Sequence, residues 1–155
     1  MNKEQIKKGL QELRNNSKKR NFDQSIDFIV NLKDLNIKKA EENVDIFIAL
    51  PHSLNKKIKI CAFVGKELKQ KANVFDKVIS DDEFVSYNSK NITRSLAKTY
   101  DIFLAQANIM SKVATTFGKI LGPKGKMPNQ KAGHVLSSDS NLESVKQRIN
   151  STIRF

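Results

Sequence analysis

Beyond Lys57 the apolar residues come in short, β-rich runs separated by helical stretches, and no other feature narrows the fold as much. The pattern predicts a strand at 58–64, a helix near 66–72, a strand near 74–79, a helix near 92–99, a strand at 101–105 and a helix near 108–117. Strands that alternate with helices predict a three-layer unit built on a parallel sheet. Tyr100-Asp-Ile-Phe-Leu-Ala-Gln106 reads as an inner strand, because its apolar run is short and rich in β-formers. Cys61 lies inside Ile58-Lys-Ile-Cys-Ala-Phe-Val64 and is expected as core filler; as the only cysteine it excludes an intrachain disulfide and a thiolate cluster for zinc.

The first third has a different style. Ile6, Leu10 and Leu13 fall on one face of a helix over 3–16, which ends in the polar, cationic corner Asn15-Asn-Ser-Lys-Lys-Arg20. From Gln24 to Leu32 the period becomes two, with Ile26, Phe28, Val30 and Leu32 on one side of a half-exposed strand. Val44-Asp-Ile-Phe-Ile-Ala-Leu50 is a second strand, separated by the charged link Lys33 to Asn43 and closed by Pro51-His52. These two strands are expected to pair in antiparallel fashion.

At the other end, Ser137-Ser-Asp-Ser-Asn141 supplies capping oxygens for a helix with Leu142, Val145 and Ile149 on one face. Ser151 to Phe155 reads as the start of another strand, which leaves a sheet edge to be covered; the polypeptide is therefore expected to be incomplete. The fold class is α/β in two lobes. An α+β lobe with an antiparallel sheet takes residues 1–62 plus 150–155, and a three-layer α/β lobe takes 63–149.

Charge points to a partner. Lys and Arg number 28 against 16 Asp and Glu, a net charge of +12, and such an excess costs self-repulsion unless a polyanion neutralises it. Nucleic acid leads. No apolar run suits a membrane span, and the start has no signal-peptide core, so the chain reads as cytoplasmic with no membrane partner.

The basic residues are unevenly placed. Between Asp101 and Asp139 there is no acid, while Lys112, Lys119, Lys124, Lys126 and Lys131 all fall in that interval. The run Ile120-Leu-Gly-Pro-Lys-Gly-Lys-Met-Pro-Asn-Gln-Lys-Ala-Gly-His134 adds three glycines and two prolines, residues that shape backbone. It fails as a nucleotide-binding phosphate loop, because Ile120 stands where the first glycine belongs and Met127 where magnesium needs Ser or Thr. Phe63-Val-Gly-Lys-Glu-Leu68 has one glycine where a dinucleotide fingerprint has three.

Neither His52 nor His134 sits in a catalytic signature, and Asp81-Asp-Glu83 is expected as a solvated loop, not a magnesium site. No cofactor and no metal are predicted. The second basic site, Lys18-Lys-Arg-Asn-Phe-Asp-Gln-Ser25, suits shaped RNA: Arg20 for phosphate, Gln24 and Ser25 for ribose hydroxyls, Phe22 for packing on a sugar or base. Equally open is that Phe22 anchors the start of a sheet.

Three stretches together resemble the ribosomal protein L-one family, the stalk proteins of the large subunit. Phe22-Asp-Gln-Ser-Ile-Asp27 looks like its early strand motif and Leu50-Pro-His52 like its interlobe turn. Gly118-Lys-Ile-Leu-Gly-Pro-Lys-Gly-Lys-Met-Pro-Asn-Gln-Lys-Ala-Gly133 looks like its signature, and Arg20-Asn-Phe22 together with Lys126-Met-Pro128 looks more like the archaeal and eukaryotic branch than the bacterial one. The resemblance implies a first lobe made from both chain ends and an inserted Rossmann-like lobe.

It also implies a non-enzymatic structural constituent of the large subunit, cytoplasmic and monomeric on the ribosome. Such a protein binds the stalk rRNA near the exit-site tRNA and represses translation of its own mRNA. RNA contacts carry over to Phe22 and Ser25, and further to Arg20, Gln24 and Arg154, with Lys124, Lys126 and Lys131 in an auxiliary or interlobe role. The family continues past the position of Phe155 with a Thr-Met-Gly-Pro motif that this sequence lacks. The alternative from another class is an α/β enzyme binding a phosphorylated small molecule or nucleotide at the ends of strands 58–64 and 101–105.

Overall fold

The computed structural model describes residues 2–36, 39, 44–52 and 56–154. They divide into two compact units, Met1–Asn43 and Val44–Phe155.

In the first unit the expected helix forms as α1, Lys3–Asn16. The Gln5 side chain accepts the Asn2 amide at its start, and Ser17 closes its end by donating from both its amide and its hydroxyl to the Leu13 carbonyl. No residue of α1 is buried. The strand expected over 24–32 does not form. Period-two alternation specifies which side chains share a face but not a hydrogen-bonding neighbour, and a strand exists only as part of a ladder. Among the described residues nothing pairs with this segment, and Phe28, Val30 and Leu32 stand 62%, 55% and 60% exposed. The charged link Lys33 to Asn43 lies largely outside the described residues.

The second unit carries two sheets. One has strand order β3-β2-β4-β5, all parallel, with β2 Ile60–Val64, β3 Lys77–Ser80, β4 Ile102–Gln106 and β5 Val135–Leu136. The other is a ribbon of β1, Phe47–Ala49, antiparallel to β6, Thr152–Arg154, with Phe47 opposite Arg154. The expected pairing of 44–50 with 24–32 is thereby replaced: β1 takes the strand after Ser151 as its neighbour, and Phe155 lies outside the described residues.

Every residue of β2 is buried, because helices cover both faces of the parallel sheet. One face carries Cys61, Phe63, Phe103 and Ala105 against helices α2, Lys90–Thr99, and α3, Met110–Leu121. At its centre Phe63 meets Phe117 at 4.5 Å and Phe84 edge-on at 5.7 Å. The opposite face sets Ile60, Ala62, Val64, Leu104 and Leu136 against Leu142 and Ile149 of α4, Leu142–Ser151. The Asn141 side chain caps α4 by accepting the Glu143 and Ser144 amides. Cys61 belongs to this core, and burial pushes its thiol up to about 12.

Three expectations are corrected here. Residues 66–72 give two 3-10 turns, Lys66–Leu68 and Lys71–Val74, since only Leu68 and Ala72 have core to reach and a longer apolar stripe is lacking. Asp81, Asp82 and Glu83 open the 3-10 helix Asp81–Tyr87 instead of a solvated loop, each paired with a different lysine: Lys112 at 2.9 Å, Lys66 at 3.3 Å and Lys69 at 2.8 Å. The helix placed near 108–117 runs four residues further, into the glycine-proline stretch.

Candidate nucleic-acid interface

The glycine-proline-lysine stretch folds as two turns of the same hydrogen-bond pattern in series, the first of which ends α3. In the first, the Lys126 amide donates to the Leu121 carbonyl and the Gly125 amide to Gly122, with Gly125 at φ +63°. In the second, His134 donates to Asn129 and Gly133 to Gln130, with Gly133 at φ +69°. This paired bonding requires a left-handed residue, which glycine takes without strain, and in the first turn it satisfies carbonyls left over at the end of α3. Pro128 is buried between the turns, and the chain then enters β5 with the His134 carbonyl accepting from Ala105.

Each left-handed glycine offers its carbonyl to an arginine. Arg148 donates to Gly133 at 3.0 Å, and Arg154 to Gly125 at 3.3 Å. Arg154 also grips Asp45 side-on, Nε to Oδ1 at 2.7 Å and a terminal nitrogen to Oδ2 at 3.2 Å, and lies 5.6 Å from the centre of the Phe47 ring. That hydrogen bond holds the Asp45 carboxyl below the usual carboxylate range.

Lys126 turns inward. Its Nζ donates to the carbonyls of Ala97 at 3.0 Å and Tyr100 at 2.7 Å, at the C-terminal end of α2 where a cation is favoured. Lys124 and Lys131 remain exposed.

His134 is half-buried with its ring edge-on to Phe47, 6.2 Å between centres. Burial, then the charges of Arg148 and Arg154, lower its pKa to about 4, so the imidazole is neutral at physiological pH. The loop and the β1–β6 ribbon line a cleft of about 490 Å3.

In the first unit Lys18, Lys19 and Arg20 are exposed and carry no ion pair among the described residues. Phe22 is 68% exposed and anchors no sheet. Gln24 and Ser25 line a recess of about 300 Å3 together with Arg14, Ser17 and Lys19. The predicted residues thus group as Arg20, Phe22, Gln24 and Ser25 in one unit and Arg154, Lys124, Lys126 and Lys131 in the other. Sequence reasoning missed Asp45, Phe47 and Arg148. No local signal marks them, since Asp45 and Arg154 are 109 positions apart.

Among the described residues no helix is long and apolar enough to cross a membrane, and no group of three His, Cys, Asp or Glu side chains is placed to hold a metal. A doubly covered parallel sheet, an antiparallel ribbon and a basic double-turn loop together define a mixed α/β protein built around a structural loop.

Comparison with known proteins gives the family. Residues 13–155 match the model of the ribosomal protein L1p/L10e family, and the chain belongs to that family. It is 34% identical to the large ribosomal subunit protein uL1 of Methanothermococcus thermolithotrophicus over 155 residues, covering 99% of this chain and 70% of the relative. The uL1 of Pyrococcus abyssi is also 34% identical, with 99% and 69% covered. That of Thermofilum pendens reaches 42% over 115 residues, covering 72% of this chain and 51% of the relative. All three are archaeal. The family is structural and non-enzymatic, which removes the alternative of a small-molecule enzyme.

Proposed function

We propose that this chain is a structural constituent of the large ribosomal subunit that binds the stalk rRNA beside the exit-site tRNA. The observation that carries the reading is the match to the ribosomal family over residues 13–155, in a chain of net charge +12. Association with the ribosome follows from the names of the uL1 relatives. The exposed run Lys18-Lys19-Arg20 with Phe22 supports placing the RNA contact early in the chain, because unpaired cations give counterion-release affinity and a bare aromatic offers a stacking surface. Gln24 and Ser25 add hydroxyl-reading groups, Arg154 is a further RNA contact, and Lys124, Lys126 and Lys131 are auxiliary or interlobe.

In this reading residues 1–62 with 150–155 form the RNA-binding lobe and 63–149 the inserted lobe. The protein acts as a monomer on the cytoplasmic ribosome, meets departing tRNA, and represses its own mRNA through a similar RNA structure. Filter binding to a stalk-rRNA fragment across a salt series tests it. Phe22→Ala and Ser25→Ala should each weaken specific binding about tenfold, the scale of one lost base or sugar contact, and more than Lys124→Ala. Equal or reversed losses would put the contact on the other unit.

A further inference from the structure

The cleft beside the double-turn loop is built for a neutral, planar guest. Its volume of about 490 Å3 lies in the range of small-ligand sites. Its apolar walls include Phe47 and Pro128, and its hydrogen-bonding side chains include Asn129, Gln130 and His134. The charges around it are already engaged. Lys126 donates to two carbonyls, Arg154 is clamped by Asp45, and Asp101 accepts the Lys59 amide.

What remains to offer a guest is uncharged. The Asn129 oxygen accepts from Lys131, while its amide nitrogen, the Gln130 carboxamide and both ring nitrogens of His134 have no partner among the described residues. The lowered pKa of His134 keeps that ring a neutral donor and acceptor. A phosphate would need free cations here. A nucleobase needs a flat apolar wall and neutral donors and acceptors along one edge, which is how unstacked RNA bases are recognised.

We propose that this cleft receives one unstacked base of the bound RNA, its ring against Phe47 and Pro128 and its edge read by Asn129, Gln130 and His134. The inference rests on the RNA-binding reading above and adds to it a sequence-reading site in the other unit.

The test uses the full chain and a stalk-rRNA fragment carrying 2-aminopurine at each unpaired position in turn. One position should become shielded from acrylamide quenching on binding, and Gln130→Trp, which fills the mouth of the cleft, should restore quenching there. Gln130→Trp and His134→Ala should each weaken binding about tenfold while leaving the salt dependence unchanged, because no phosphate contact is lost.

If the unsubstituted chain binds the fragment but shields no position, or if both variants bind as tightly as it does, the inference is overturned and the RNA-binding reading stands. Absence of RNA affinity in the unsubstituted chain overturns both. Should Gln130→Trp fail to fold, His134→Ala must restore quenching at the shielded position, whereas shielding that persists in His134→Ala and is lost in Phe22→Ala belongs to stacking on Phe22 and overturns the inference.

Discussion

At the scale of single residues, the lysines of the loop part company. Lys126 closes the end of α2 through two carbonyls, whereas Lys124, two positions earlier, reaches solvent. Lys126→Ala should therefore lower stability by about 1–3 kcal/mol in urea unfolding, the usual cost of leaving part-buried carbonyls without a donor. Lys124→Ala should change it by less than about 0.5 kcal/mol. If the two variants unfold alike, the inward bonds of Lys126 contribute nothing. Both lysines read as phosphate-seeking cations in the sequence. Only the packing of α2 against the loop separates them, and that packing is set by residues some thirty positions away.

At the scale of elements, the two turn glycines differ in what surrounds them. A Cβ at Gly125 would sit 3.3 Å from a terminal nitrogen of Arg154, a contact that a small shift relieves. At Gly133 it would run into the Arg148 guanidinium. Gly125→Ala should thus cost about 1–2 kcal/mol, the ordinary penalty for a left-handed alanine. Gly133→Ala should cost more, because the Arg148 bond to that same residue must break as well. Thermal melts of the two variants side by side would show the order, and a reversed order would contradict the arginine clamp.

Elements buried on two faces were the most legible in the sequence. The runs that became β2 and β4 announce themselves because both of their sides must be apolar. The segment over 24–32 has equally clean alternation, yet it forms no strand, since pairing is a relation between two segments and alternation is a property of one. β5 passed unnoticed because Val135 and Leu136 are too short a run to carry any period. The turn-forming role of Gly125 and Gly133 was legible in composition; the destinations of Arg148 and Arg154 were not.

At the scale of the whole molecule, acid should loosen the fold. His134 has a folded-state pKa of about 4 against an ordinary 6.5, so between those values the unfolded chain binds the proton more readily. Stability therefore rises as pH goes from 4 to 6.5 and falls as pH is lowered through that window, by no more than about 3 kcal/mol. Arg148 and Arg154 face the ring from α4 and β6 and reinforce the effect. Asp45 adds a loss of the same sign at lower pH, when its bond to Arg154 is protonated away. Urea midpoints from pH 4 to pH 7 should show the slope, and His134→Ala should flatten it. An unchanged slope in that variant would assign the acid sensitivity to the carboxylates alone.

The β1–β6 ribbon also sets a timetable. Phe47–Ala49 is synthesised early, but its partner Thr152–Arg154 is made roughly a hundred residues later. At typical translation rates of about 5–20 residues per second that is an interval of about 5–20 s. Throughout it β1 lacks the partner seen in the finished fold, while β2, β3 and β4 can already assemble among themselves. The parallel sheet is thus able to exist before the ribbon does, and the nascent chain must keep Phe47, Ile48 and Ala49 from pairing with anything else while it waits.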